Sequence, residues 1–364
     1  MKILVTGAHT TPALAFVHEA KNGGHSIVYV GRKYAQEADS TLSFEYNEVV
    51  AQGVPFVDLS TGRATRTLNL RSMVNILRIP LGLFRALRIV NAQKPDVVMS
   101  FGGYIALPIA LAAHAQHIPI FTHEQTIAPG VANQWIARLS RHVFVAFKRT
   151  VNEFDPKKTT VVGNPVRADV RANNHSFAFS NSDPVLFITG GTLGSHSVNL
   201  LIEALLPQLL ARYNIIHQTG DTAQYQDYER LVSHQTDRYI VRKHIASGDI
   251  GAAYAAASIV VARAGANTVS ELILLKKPAV LIPLPWAARN EQAKHAAYMV
   301  EMGVAKMFDQ SHAPDELLAT VIAAIDEKDA MTSRFEVVEQ VGDLQAAARM
   351  LQTISSSITA KIAP

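Results

Sequence analysis

At 364 residues the chain is too long for one ordinary hydrophobic core, so two domains are expected. Hydrophobic residues make up 48% and charged residues 18%, a globular composition, and the absence of cysteine excludes disulfides, zinc–thiolate sites and cysteine nucleophiles. Lys and Arg outnumber Asp and Glu by 34 to 30, giving +4 and a pI near 9.2, and with no basic–aromatic interleaving this excess does not point to nucleic acid.

Met1 to Gly7 carries only a few apolar residues before a glycine turn, which reads as a buried first strand rather than a signal peptide. After Thr6-Gly7-Ala8-His9 a helix is expected from about Pro12. From Arg71 to Val90 the chain has no acidic residue. Arg71, Arg78, Arg85 and Arg88 there alternate with Met73, Ile76, Leu77, Ile79, Leu81, Leu83, Phe84 and Leu87. An amphipathic, purely basic surface of this kind suits an anionic bilayer, and it equally suits an ordinary surface helix. Pro80 and Gly82 predict that the segment is not one clean helix. The longest uncharged run, Ser100 to Gln116, is too short and broken to span a membrane, so a soluble or peripheral protein is expected. His123-Glu124-Gln125 then follows an apolar strand, Ile118 to Thr122.

Gly163-Asn164-Pro165-Val166-Arg167 and the polar stretch Ala172 to Asp183 read as a linker. Beyond it the opening pattern restarts: strand Pro184 to Thr189, glycine turn Gly190 to Ser195, helix to about Leu210. Ser258 to Ala262 reads as a strand, Asn267 to Leu275 as a helix and Ala279 to Leu284 as a strand. The tail from Gln340 to Ile358 has helical spacing. Strand–glycine–helix units that restart once predict an α/β protein of two Rossmann-like domains with parallel sheets facing a central cleft. The expected divisions are residues 1–166, 167–340, and a final segment 341–364 packing back towards the first domain.

The Gly190–Ser195 loop opens a helix, where free N–H groups and the helix dipole suit a phosphate, with Thr192 and Ser195 as hydroxyl donors; a plain tight turn has the same pattern. In Arg263 to Glu271, Asn267 or Thr268 is expected to cap a helix and Glu271 to fall in its first turn. That carboxylate can serve the cap or accept both hydroxyls of a ribose. Asn290-Glu291-Gln292 lies past a strand end, where ligands gather. His9 and His123, each placed after a strand of the first domain, are candidates to face one cleft, with His9 as a general base on an acceptor hydroxyl. No metal-ligand spacing stands out, so helix dipoles and N–H groups are expected to neutralise a leaving diphosphate.

Together these motifs resemble the MurG family, a branch of the two-domain GT-B glycosyltransferases. The resemblance is carried by Pro12-Ala13-Leu14-Ala15, Lys94-Pro95-Asp96-Val97-Val98, Gly102-Gly103-Tyr104 and His123-Glu124-Gln125. It continues through Gly163 to Arg167, Gly190-Gly191, His217-Gln218-Thr219-Gly220, Thr268-Val269-Ser270-Glu271 and Gln292. It implies inverting, metal-independent transfer of N-acetylglucosamine from UDP-N-acetylglucosamine to the muramyl 4-hydroxyl of an undecaprenyl-linked acceptor, lipid I, giving lipid II. UDP-N-acetylglucosamine is then a substrate, and no cofactor is expected. His9 and His123 are implied as catalytic. Thr6, Gly7, Thr126, Arg167, Gly191, Thr192, Ile245, Ala266, Asn267, Thr268, Val269, Ser270, Glu271 and Gln292 are implied on the donor side, with Arg167 and Ile245 near the uracil and Gln292 near the sugar. Arg78, Ile79, Leu83, Phe84, Arg85 and Arg88 are implied at the membrane, on the cytoplasmic face of the bacterial plasma membrane, with cell-wall synthesis proteins as further partners. The sequence departs from the family's Gly-Gly-Thr-Gly-Gly-His first loop, has Thr126 and His295 for usual asparagines, and has Leu193 for a glutamine. The readings that remain open are transfer to another lipid such as a diacylglycerol, UDP-sugar epimerisation, and an inactive donor-binding scaffold.

Overall fold

Apolar runs such as Ile259 to Ala262 bury both faces in a parallel sheet, and the helices between them bury one. The structure, a computed structural model, describes residues 1–7, 9–34, 42–59, 61, 70–171, 177–191, 193–222 and 224–359, with the backbone alone for 70–79 and 247. The chain divides into two units, Met1–Pro165 with Asp343–Pro364, and Val166–Gly342.

The first unit holds β1 (Lys2–Thr6), β2 (Ser26–Gly31), β3 (Phe56–Asp58), β4 (Val97–Ser100), β5 (Ile120–Glu124), β6 (His142–Val145) and β7 (Thr159–Val161) in the order β3-β2-β1-β4-β5-β6-β7. All these neighbours are parallel, with Leu4 set between Val28 and Val98. The connecting helices are α1 (Thr10–Asn22), α2 (Phe44–Ala51), α3 (Leu70–Gln93), α4 (Ala106–Ala115) and α5 (Val131–Leu139), and a two-residue strand, β8 (Asn164–Pro165), follows the sheet.

The second unit repeats the plan. Its strands are β9 (Val185–Thr189), β10 (Asn214–Gln218), β11 (Tyr239–Arg242), β12 (Ile259–Ala262), β13 (Ala279–Leu281) and β14 (Ala305–Met307), in the order β11-β10-β9-β12-β13-β14 and again parallel. Its helices are α6 (His196–Leu210), α7 (Asp227–Val232), α8 (Ser247–Ala256), α9 (Ala266–Leu274), α10 (Glu291–Glu301), α11 (Pro314–Asp326) and α12 (Lys328–Arg334). Ile188, Val261, Ile202, Leu205 and Leu317 are part of its core.

The last helix, α13 (Ala346–Thr359), belongs to the first unit. There Met350 and Ile354 join Phe16 and Val17 of α1 against Ile3 and Val5. Leu4 points the other way, into a core with Val90 of α3, Ile109 of α4 and Ile136 of α5, as strand alternation requires. In each sheet the strand order reverses between the first strand and the fourth. The crevices at β1/β4 and β9/β12 are where such sheets bind ligands, beyond the carboxyl ends.

Three expectations need correction. α3 is continuous from Leu70 to Gln93 with Pro80 inside it. Proline removes one N–H donor, and Gly82 is there for packing, because a Cβ would collide with Thr61. β5 runs through His123 and Glu124, which pair with Phe144 and Val145, so His123 lies in the strand and not after it. α9 begins at Ala266 with Gly265 as N-cap, so neither Asn267 nor Thr268 caps it and Glu271 falls in the second turn. Among the described residues no helix is long and apolar enough to cross a membrane.

Candidate active site

In the first unit the carboxyl end of β1 is tightly set. Thr6 is fully buried, its carbonyl accepts from Phe101 N at 2.7 Å, and Gly7 has φ +153° with a would-be Cβ 2.7 Å from Phe101. Only glycine takes that backbone without strain. His9, the residue before α1, is half-buried with Nδ1 2.6 Å from Gln125 Nε2. Burial holds the His9 imidazole below its ordinary value, and the Glu124 carboxylate pulls it partly back.

His123 is 1% exposed, and its Nε2 donates to the Gly163 carbonyl at 3.0 Å. Burial holds it down to about 4, so it is neutral, and it packs against Phe101. The histidines that looked alike in sequence therefore differ in access: His9 is half-exposed, whereas His123 is enclosed. Glu124 anchors the loop that follows β5. It accepts from Thr126 N at 2.9 Å, Thr126 Oγ1 at 2.7 Å, Asn133 Nδ2 at 2.9 Å and Gly130 N at 3.3 Å. Thr126, expected at the donor, is buried and committed to this loop of the first unit. Asn133→Ala should cost about 2 kcal/mol of stability, because it strips a buried carboxylate of a donor; chemical denaturation would measure it.

In the second unit two helix N-termini, those of α6 and α9, follow the adjacent strands β9 and β12. Gly191 has φ +87° and Gly194 φ +76°, and Gly194 packs directly on Thr219 and Gly220, where a side chain has no room. Thr192 lies outside the described residues. Gln218 braces the site: Nε2 donates to Thr189 Oγ1 and to the Gly191 carbonyl, both at 3.2 Å, while Oε1 accepts from Ile245 N at 3.0 Å. Arg263 is a buried cation beside the loop, donating to Ser195 Oγ at 2.9 Å and to the Ile282 carbonyl at 3.0 Å, and burial lowers it to about 10.

Glu271 projects from α9 and accepts from the Tyr254 hydroxyl at 2.7 Å through Oε2. Burial raises its carboxyl, against the pull of the Tyr254 hydrogen bond and of Arg167. Arg167 Nε is 3.6 Å from Asp169. Ala266, Asn267 and Thr268 form the first turn of α9, but Val269 and Ser270 are fully buried, with Ser270 Oγ bonded back to the Ala266 carbonyl. Their side chains are structural, since residues three and four after the helix start face the core. Gln292 Oε1 accepts from Leu284 N at 3.0 Å, which holds the loop after β13. Among the described residues no group of three or more His, Asp or Glu is arranged to hold a metal ion.

Residues 6–145 match the glycosyltransferase family 28 N-terminal domain, and residues 185–350 match the glycosyltransferase family 28 C-terminal domain. The UDP-N-acetylglucosamine–N-acetylmuramyl-(pentapeptide) pyrophosphoryl-undecaprenol N-acetylglucosamine transferase of Anaeromyxobacter dehalogenans is 34% identical over 328 residues, 88% of this chain and 82% of that one. The transferase of the same name from Clostridium botulinum (strain Langeland) is 30% identical over 327 residues, 87% and 88% of the two chains. The chain belongs to the MurG family. The crystal structure of Acinetobacter baumannii MurG, a GT-B fold, superposes with TM-score 0.73 at 26% identity, covering 98% of this chain and 99% of that one. A UDP-GlcNAc 2-epimerase from Neisseria meningitidis, bound to UDP-GlcNAc, gives 0.63 at 14% identity over 98% and 100%, a likeness of fold alone.

Gln125, Gln218, Tyr254 and Arg263 were not among the site residues expected from the MurG resemblance. Each acts by bracing a residue far away in sequence, a relation with no local signature. On α3, Leu81, Phe84, Arg85 and Arg88 are exposed, with Arg88 stacked 4.3 Å over the Phe84 ring, while Leu83 is half-buried. Arg78 and Ile79 lie where only the backbone is described. His295, for the asparagine usual in the MurG family, is buried and donates through Nδ1 to the Ala264 carbonyl at 3.0 Å, and burial lowers it to about 4. A folded value below the unfolded one means that the unfolded chain takes the proton first. The stability His295 contributes is therefore intact above about pH 6.5 and lost as pH falls towards about 4, at about 1.4 kcal/mol per pH unit. His295→Asn should flatten the pH dependence of the unfolding free energy across that window.

Proposed function

We propose that this chain transfers N-acetylglucosamine from UDP-N-acetylglucosamine to the muramyl 4-hydroxyl of an undecaprenyl-pyrophosphate-linked acceptor, with inversion and release of UDP. One observation carries the reading. In a chain of the MurG family, Glu271 and the N-termini of α6 and α9 gather at the β9/β12 crevice of the second unit. Helix N-termini favour a diphosphate, and they stabilise it further as charge builds on the departing UDP. Glu271 Oε1 is the oxygen not engaged by Tyr254 and is suited to the ribose hydroxyls. Arg167 and Ile245 are assigned to the uracil side, and Gln292, whose amide nitrogen remains beside its bonded oxygen, to the sugar.

The first unit takes the acceptor. His9 is the general base, kept neutral by burial. Gln125 Oε1 has no hydrogen-bond partner among the described residues. A half-turn of that amide places Oε1 on His9 Nδ1–H and leaves the His9 Nε2 lone pair to take the proton of the attacking hydroxyl. His123 supports β5 and does not touch the reacting atoms. The exposed part of α3 docks on an anionic membrane at the cytoplasmic face, so replacing Leu81 and Phe84 together by serine should cut binding to phosphatidylglycerol vesicles about tenfold and leave UDP affinity unchanged. Product analysis tests the reaction itself. A β-1,4-linked disaccharide lipid is expected, and conversion of UDP-N-acetylglucosamine to its 2-epimer without a new lipid would overturn the reading.

A further inference from the structure

At the carboxyl edge of the second sheet the two most exposed large apolar side chains are Leu193 at 74% and Trp286 at 71%. Leu193 stands on the loop after β9 and Trp286 on the loop after β13, so the two loops flank β12, which leads into α9 and Glu271. The Trp286 loop is tied by several hydrogen bonds. Leu284 N is held by Gln292, Ala287 N donates to the Leu284 carbonyl at 3.2 Å, and Asn290 N donates to the Ala287 carbonyl at 3.0 Å. Arg263 also donates to the Ile282 and Pro283 carbonyls at its start.

An indole held in water on a loop tied in this way forgoes burial, yet it offers a large flat apolar face at low entropic cost to a ligand. The ligand's chemistry follows from position. Ile245 follows β11, four strand spacings from β13, or about 19 Å along the sheet edge. With the base at that end and the diphosphate between the α6 and α9 N-termini, Trp286 stands at the sugar end. In an α-linked donor N-acetylglucosamine carries its C2 to C5 substituents equatorially and its diphosphate axially at C1, so the ring face opposite the diphosphate shows axial C–H bonds and is apolar while the rim is polar.

We infer that Trp286 is the stacking face for the donor's pyranose ring, a specificity residue for an equatorially substituted N-acetylhexosamine, with Leu193 as the facing apolar wall. The inference rests on the donor reading above. The chain has two tryptophans, so Trp135→Phe leaves Trp286 as the sole indole reporter. Titrating that protein with UDP and with UDP-N-acetylglucosamine, and following binding by calorimetry in parallel, separates the two ideas. Both ligands are expected to bind, and only UDP-N-acetylglucosamine should change the emission. Trp286→Ala should raise the KM for UDP-N-acetylglucosamine about tenfold with UDP affinity within twofold, and Trp286→Phe should restore most of it. UDP-N-acetylglucosamine binding with an emission identical to that with UDP, or unchanged KM in Trp286→Ala, overturns the stacking role. Failure of UDP itself to bind removes the donor reading, and the stacking role with it.

Discussion

Replacing Glu271 by alanine should weaken UDP and UDP-N-acetylglucosamine binding by about 100-fold, roughly 2.8 kcal/mol, while vesicle binding stays unchanged. The size follows from losing charge-assisted bonds to ribose hydroxyls, at about 1.5–3 kcal/mol for a bond to a charged group. Tyr254 decides how the variant should be read. Its hydroxyl donates to Glu271 Oε2 at 2.7 Å, so alanine also strips a buried tyrosine of its acceptor. Glu271→Gln keeps an acceptor for Tyr254 and loses only the charge, so it should fall between the parent and alanine. Calorimetry with UDP checks the series. Equal UDP affinity across all three proteins would move the donor away from the β9/β12 crevice.

His9→Ala should lower kcat by about 10²–10⁴-fold and leave the donor KM nearly unchanged, because a general base acts in the transition state and not on nucleotide binding. The pH profile gives the second readout. Burial holds His9 below the ordinary imidazole value, so in the parent kcat/KM should fall on the acidic side with an apparent value below 6.5. That limb should vanish in His9→Ala. Gln125→Ala should keep part of the activity with the limb displaced, since Gln125 orients the ring without touching the acceptor. An unaltered acidic limb in His9→Ala would assign the base elsewhere.

The parallel architecture was legible because buried parallel strands are short apolar runs and the first strand of each unit, β1 and β9, runs into a glycine turn before a helix. Gly7 and Gly191 mark positions where the backbone has positive φ, and such positions announce themselves in sequence. The helix carrying Glu271 was legible too, but its start was not. Gly265 takes the N-cap although Asn267 and Thr268 are common capping types, because the chain leaves β12 directly into the turn. His9 and His123 were indistinguishable as sequence, and only the pairing of β5 with β6 shows that His123 lies in a strand and is enclosed. Gln218 was visible within a motif, but its double hold on the glycine loop and on Ile245 appears only when β9, β10 and the segment after β11 are side by side. Pro80 misled in the opposite direction, since α3 runs unbroken through it from Leu70 to Gln93.

The most direct measurement is UDP release when the protein is mixed with UDP-N-acetylglucosamine and a lipid I analogue in detergent, against a control without acceptor. Acceptor-dependent UDP with a stoichiometric disaccharide lipid is the predicted result. UDP-N-acetylglucosamine binding with no acceptor-dependent UDP would contradict transfer to this acceptor.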